Sequence, residues 1–132
     1  MLAGFSAMPK AKPKQFNWLA TVEEHNFPAA RSYLSLIYTA KRISNFIIRL
    51  RAAPIVEFKA KDIFRASQLS LLGVSNSHVA KDQAKIRKGQ GLSPLLLVRD
   101  EDRGRVVIAD GYHRLCAIYR FDEDAMIRCK ID

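Results

Sequence analysis

The sequence contains few cysteines and no long apolar run, and both shortages exclude whole classes of protein. Its 132 residues include two cysteines, Cys116 and Cys129, each within an apolar periodic segment. We therefore predict buried free thiols in a reducing compartment, the cytoplasm, rather than a disulfide scaffold. No apolar stretch approaches the roughly 18–20 residues that a membrane-spanning helix needs, and the first residues lack the positive start of a signal peptide. We expect no membrane partner.

Clusters of metal-ligating or nucleophilic residues are also missing. The three histidines, His25, His78 and His113, lie far apart, and no cysteine or carboxylate stands at metal-ligand spacing from them. We therefore predict no metal site formed by the protein alone. The spacing of residues supports no Ser-His-Asp or Cys-His arrangement, so the sequence identifies no catalytic residue. Whether the protein is an enzyme stays open.

The formal net charge is +9, and the excess of basic residues belongs to the N-terminal part. Residues 1–61 hold ten Lys and Arg against three acidic residues, whereas residues 62–132 hold twelve against ten. Polyanions such as nucleic acid are candidate partners for the first part. A basic surface that only keeps the protein in solution would explain the same excess, so both interpretations remain open.

The N-terminal part is predicted to be a tail followed by helices. Residues 1–16 mix small residues with prolines and lysines, which is typical of a flexible basic tail. Residues 17–53 predict a helical extension, in which Thr21 and Glu24 match a capping box and a break falls near Thr39. The apolar helical positions are Tyr33, Leu34, Ile37 and Tyr38 before the break, and Ile43, Phe46, Ile47 and Leu50 after it.

Four basic residues of this extension are candidate nucleic-acid contacts. Lys41, Arg42, Arg49 and Arg51 occupy the ends of the second helix or faces away from its apolar stripe. A DNA- or RNA-binding helix-turn-helix, or a nuclease-like accessory protein, would carry such a pattern. The same helices would equally cap a hydrophobic core or form the interface of a homodimer.

Residues 54–132 predict a separate domain of the α/β (α+β) class, a small mixed sheet packed by helices. The stretch 62–72 predicts an irregular or partly helical link that ends at Gly73, and residues 75–77 supply N-cap candidates for the next helix. The strand patterns lie at 55–58, 95–98, 106–109 and 126–131, and the helical patterns lie at 78–88 and 112–121.

The turn from the third of these strands into the last helix is the strongest candidate site. Free backbone N–H groups and the positive end of the helix dipole favour an anion there. Asp110 and Gly111 form the turn, in which glycine allows close approach of a ligand. His113 can donate a hydrogen bond, and Arg114 can hold phosphate oxygens in a bidentate manner. The alternative is that Asp110 is only an N-cap and that Arg114 pairs with an acid at the surface.

A stripe of lysines on the helix at 78–88 is the second candidate. Lys81, Lys85 and Lys88 are spaced four and three residues apart, and like charges at that spacing invite an anionic partner. An ordinary solvated face would look the same. If the two helices are neighbours, Lys81 and Lys85 converge with Arg114 on one phosphate group. The packing face of the lysine helix would carry Val79, Gln83 and Ile86.

From Val106 to Tyr119 the chain resembles the ParB/sulfiredoxin superfamily. ParB-type proteins carry Gly-Glu-Arg-Arg-x-Arg-Ala at the start of this helix, and sulfiredoxins carry Gly-Gly-Cys-His-Arg-Tyr. Here the stretch reads Asp110-Gly-Tyr-His-Arg-Leu-Cys-Ala117, and the resemblance extends over residues 54–131. Tyr112 stands where sulfiredoxins have their catalytic cysteine, so sulfinic-acid reduction is not expected.

The resemblance implies a phosphate-binding pocket for a nucleotide. ParB-like proteins use it for CTP and sulfiredoxins use it for ATP, so Mg²⁺ bound with the nucleotide and slow nucleotide hydrolysis are expectations. Gly111, His113 and Arg114 would face the phosphates. Lys81 and Lys85 lie where sulfiredoxin-like proteins place polar nucleotide contacts.

Overall fold

The computed structural model describes residues 16–71 and 76–132, and over these residues the mixed α+β class is confirmed. The predicted tail, apart from Phe16, lies outside the described residues, as do Gly73 and Ser75. The strands are β1 (Val56–Lys59), β2 (Leu95–Asp100), β3 (Arg105–Asp110) and β4 (Met126–Ile131), and the helices are α1 (Asn26–Leu34), α2 (Ala40–Ala52), α3 (Ala60–Ser67), α4 (Ser77–Arg87) and α5 (Tyr112–Phe121).

The four strands form one mixed sheet in the order β1-β4-β2-β3. The central strands β4 and β2 are parallel, and each outer strand is antiparallel to its neighbour. β2 and β3 form a hairpin, whose turn ends at Gly104 with a φ of 63°. The return from β3 to β4 passes through α5, which places the N-terminus of α5 directly at the end of β3.

Helices cover both faces of the sheet, so the sequence of β2 is apolar at four consecutive positions, Leu95–Val98. Leu95 and Leu97 join a cluster with α3, α4 and α5, whereas Leu96 and Val98 join a cluster with α1 and α2. The predicted helical extension therefore caps one face of the core. The buried apolar residues of its two helices are Phe27, Ala30 and Leu34 of α1, and Ile43, Phe46, Ile47 and Leu50 of α2.

The capping box predicted at Thr21 and Glu24 is wrong. α1 begins at Asn26, and no side chain caps it. Hydrogen bonds to a distant part of the chain hold this segment instead. The buried Asn26 donates from Nδ2 to Ser93 Oγ at 2.7 Å, and Glu23 N–H donates to the same oxygen at 3.0 Å. Glu24 forms an ion pair with Arg51 at 2.7 Å. A local sequence pattern does not reveal a hydrogen-bond partner that lies about 70 residues away in the chain, as Ser93 does.

Two element boundaries also differ from the prediction. α1 ends at Leu34, so Ile37 and Tyr38 pack from a turn rather than from the helix. The break predicted near Thr39 is present, and Thr39 is the N-cap of α2. The stretch 62–72, predicted as an irregular or partly helical link, overlaps the regular helix α3, which begins earlier, at Ala60, and follows β1 without a loop. Ile63 of α3 is buried against the sheet, and this burial stabilises a helix too short to be stable alone.

Two smaller predictions are confirmed, the burial of both cysteines and the N-cap of α4. Cys116 and Cys129 are both buried, and burial raises the pKa of the Cys129 thiol to about 12. Asn76 caps α4, and Phe16 and Trp18 pack against the core. Over residues 16–71 and 76–132, no helix has the length and apolar character needed to cross a lipid bilayer.

Candidate functional site

The start of α5 depends on glycine at position 111. Gly111 has a φ of 107°, a conformation that residues with a side chain rarely adopt. A Cβ atom at this position would lie 2.6 Å from Leu95 Cγ and 2.9 Å from Arg114 Nη2. Gly111 is itself the N-cap, and no side chain caps the helix. The interpretation of Asp110 as an N-cap is therefore wrong, and the first N–H groups of α5 remain available to a ligand.

Arg114 is held in place by two hydrogen bonds. Its Nη2 donates to Asp110 Oδ2 at 2.9 Å, and its Nε donates to the carbonyl oxygen of Ser93 at 3.0 Å. The side chains of Asp110 and Arg114 are only 15% and 17% exposed, so solvent screens this ion pair less than a pair at the surface. The guanidinium group is thus oriented before any ligand arrives, which reduces the entropy cost of binding.

The six residues predicted to bind phosphate line one cavity of about 230 Å³ between α4 and the start of α5. We call this cavity the phosphate cleft. Lys81 and Lys85 project from α4 toward the turn that carries Asp110 and Gly111, and Val79, Gln83 and Ile86 bury the opposite side of α4 as predicted. Lys88, the third lysine of the stripe, is not among the lining residues. The lining is His78, Lys81, Asp82, Lys85, Asp110, Gly111, Tyr112, His113 and Arg114.

Two of the histidines that are far apart in the sequence, His78 and His113, lie next to each other at this cleft. The rings of His78 and His113 lie 4.8 Å apart between centroids. Burial lowers the pKa of His113, and the neighbouring His78 and Arg114 lower it further, while Asp82 acts in the opposite direction. The neutral imidazole of His113 therefore predominates at neutral pH, and a bound anion would favour its protonated form.

We expect the free energy of unfolding to fall as the pH is lowered through the ordinary histidine value of 6.5. Because the pKa of His113 is lowered in the folded protein, the unfolded chain takes up a proton at a higher pH than the folded chain does. Proton uptake then favours unfolding over the interval between the two pKa values. Urea denaturation between pH 5 and 8 should give a shallower pH dependence in His113→Gln, and equal slopes would contradict the assignment.

His78, Asp82 and Ser93 were not among the site residues predicted from the sequence. His78, Lys81, Asp82 and Lys85 follow the spacing i, i+3, i+4, i+7, so the helical periodicity places all four on one face of α4. That signal was present in the sequence. Ser93 orients Arg114 through its main-chain carbonyl. Every residue has such a carbonyl, so the residue type at position 93 does not reveal this role.

The basic residues of α2 form a separate surface. Arg49 pairs with Asp132 at 2.9 Å, and Arg51 pairs with Glu24 and lies over the ring of Phe27. Arg42 lies over the ring of Tyr38, and Lys41 is exposed. Arg49 and Arg51 thus already have acidic partners within the protein, which reduces the positive charge they offer to a polyanion.

The described residues contain no group of three or more metal-ligating side chains that could hold an ion. Asp82 and Asp110 do line the phosphate cleft, and Mg²⁺ is often bound by one or two carboxylates together with the phosphates of a nucleotide. The residues present therefore fit an Mg²⁺ ion that arrives with a nucleotide, and they do not fit a resident metal.

Neither family models nor curated proteins nor solved structures gave a match to this chain.

Proposed function

We propose that the protein binds a nucleotide or another phosphorylated ligand, with the phosphate groups in the phosphate cleft. One observation carries the proposal: the uncapped N-terminus of α5 and three cationic side chains, Lys81, Lys85 and Arg114, line the same cavity. Asp82 and Asp110 also line the cleft, so the three cations leave a formal net charge of +1, with histidine counted as neutral. Backbone N–H groups at a helix N-terminus and oriented cationic side chains both bind phosphate in proteins. The resemblance to ParB-like proteins and sulfiredoxins supports CTP or ATP, with Mg²⁺, as the first ligands to test.

A thermal-shift experiment tests the proposal directly. We expect one or more of CTP, ATP, GTP and UTP, with or without Mg²⁺, to raise the melting temperature as ligand binding stabilises the folded state. Arg114→Ala should abolish the shift, because it removes the oriented guanidinium group, and Lys85→Ala should reduce it. Hydrolysis of any nucleotide that binds is then measured by phosphate release in the same samples.

Lys88→Ala is the matched control. It removes the same charge from the last turn of the same helical segment, but Lys88 does not line the phosphate cleft. Its thermal shift should equal that of the wild-type protein. If no nucleotide at millimolar concentration shifts the melting temperature, or if Lys88→Ala and Lys85→Ala behave alike, the phosphate cleft is not the binding site.

The nucleic-acid interpretation predicts a different outcome. Binding of DNA or RNA through Lys41, Arg42, Arg49 and Arg51 would weaken steeply with salt and would persist in Arg114→Ala. A fluorescence-anisotropy titration with single- and double-stranded oligonucleotides at two salt concentrations distinguishes the two interpretations.

A further inference from the structure

A second cavity opens on the other side of the α5 N-terminus. Its volume is about 450 Å³, and it shares Asp110, Gly111, Tyr112 and His113 with the phosphate cleft. The two cavities therefore meet at the turn where α5 begins. We call the second one the α1 cavity, because α1 supplies one of its walls. Its remaining lining consists of Ala29, Tyr33, Leu69, Ile108 and Ala109.

The chemistry of the α1 cavity differs from that of the phosphate cleft. The two cavities share Asp110 and His113, but no lysine or arginine lines the α1 cavity, whereas two tyrosines and several aliphatic side chains do. Tyr33 and Leu69 are 43% and 42% exposed, so large apolar side chains at this position remain in contact with solvent. A ligand group that covers them would be stabilised by removal of apolar surface from water.

The α1 cavity also borders a free strand edge. β3 is the last strand of the sheet, and within the described residues no strand pairs with its outer side. Along such an edge, alternate residues direct their N–H and C=O groups outward. A planar ring in the α1 cavity would lie beside Ile108 and Ala109 of this strand and beside the aromatic ring of Tyr33.

We propose that the ligand is a phosphate ester that carries a planar ring, as a nucleotide does, and that the α1 cavity holds this ring. The inference rests on the proposed function, because continuity with the phosphate cleft is what assigns the occupant. It also assigns a binding role to α1: Ala29 and Tyr33 belong to the N-terminal extension and complete the site with the sheet. Discrimination between ligands with different rings would then depend on α1 and β3, and not on the phosphate cleft.

Isothermal titration of the whole chain with tripolyphosphate and with the four nucleoside triphosphates tests this inference. The wild-type protein should bind at least one nucleotide more tightly than tripolyphosphate. In Tyr33→Ala the affinity for that nucleotide should fall about tenfold, the size expected for a lost aromatic stacking contact. The affinity for tripolyphosphate should not change.

Ala29→Phe provides a second test that preserves folding, because Ala29 is exposed on α1 and a larger side chain would project into the α1 cavity. It should weaken the nucleotide and leave tripolyphosphate unaffected. Leu36→Ala is the matched control, since Leu36 follows α1, is 83% exposed and does not line the cavity. Its affinities for both ligands should match those of the wild-type protein.

The possible failures are distinguishable. Equal affinity of the wild-type protein for tripolyphosphate and nucleotides, or an unchanged nucleotide affinity in both Tyr33→Ala and Ala29→Phe, would overturn the ring site while the phosphate cleft stands. Binding of neither tripolyphosphate nor any nucleotide would overturn the proposed function and this inference with it.

Discussion

Gly111→Ala is expected to destabilise the fold by about 2–5 kcal/mol, the sum of a strained backbone and an overpacked contact. The φ of 107° is unfavourable for alanine, and the new Cβ would lie 2.6 Å from Leu95 Cγ. Leu95 is completely buried at the start of β2, so it has little room to move away. Urea denaturation followed by circular dichroism would measure the loss as a lower midpoint.

The matched control for this substitution is Gly104→Ala. Gly104 also has a positive φ, 63°, but a Cβ atom there would meet no other atom within 4 Å. Only the backbone strain remains, and we expect a cost of about 1–2 kcal/mol. If the two variants lose the same free energy of unfolding, the steric contact between position 111 and β2 is not what requires glycine.

Gly111→Ala should also impair the phosphate cleft. The same Cβ atom would lie 2.9 Å from Arg114 Nη2, the atom that donates to Asp110. The guanidinium group would have to leave its position. The affinity for nucleotide should therefore fall even when it is measured at a temperature where the variant is folded. We therefore expect stability and ligand binding to depend on the same small residue.

Leu50→Ala is expected to lower the free energy of unfolding by about 2–5 kcal/mol, the range observed when a buried leucine is truncated. Leu50 lies on the inner face of α2, is 0% exposed, and belongs to the cluster that contains Leu96 and Val98 of β2. Because this cluster covers one face of the sheet, its loss should destabilise the whole described fold. A single cooperative transition with a lower urea midpoint is the expected result.

Ile48→Ala is the control on the same helix. Ile48 is 65% exposed, and its truncation should change the free energy of unfolding by no more than about 0.5 kcal/mol. Two separate transitions in Leu50→Ala, of which only the first moves to lower urea, would show instead that α1 and α2 unfold independently of the sheet.

Local sequence patterns were sufficient for the elements that bring their own signals. β4 and α5 lie at the predicted residues because an apolar strand run and a helical period are properties of consecutive side chains. The turn at Asp110 and Gly111 was recognisable for a similar reason: its conformation needs glycine. The apolar stripe of α2 likewise predicted its buried face.

Tertiary structure alone decided how the site is assembled. The sequence places Lys85 and Arg114 29 positions apart, and only the packing of α4 beside α5 brings both to one cavity. The bond from Arg114 to the Ser93 carbonyl has the same origin, since a main-chain acceptor leaves no trace in residue identity. The capping box predicted at Thr21 failed because hydrogen bonds to Ser93, which is distant in the sequence, hold this segment instead.

By itself, then, the sequence determined the class of the fold, the helix start at Gly111 and the residue types suited to phosphate. The structure decided which of these residues meet, that Lys88 stays outside the cleft, and that α1 forms the wall of a second cavity beside it. The physical reason is range: propensity, periodicity and capping act within a few residues. Whether side chains meet at one site depends instead on how elements that are far apart in the sequence pack their buried surfaces together.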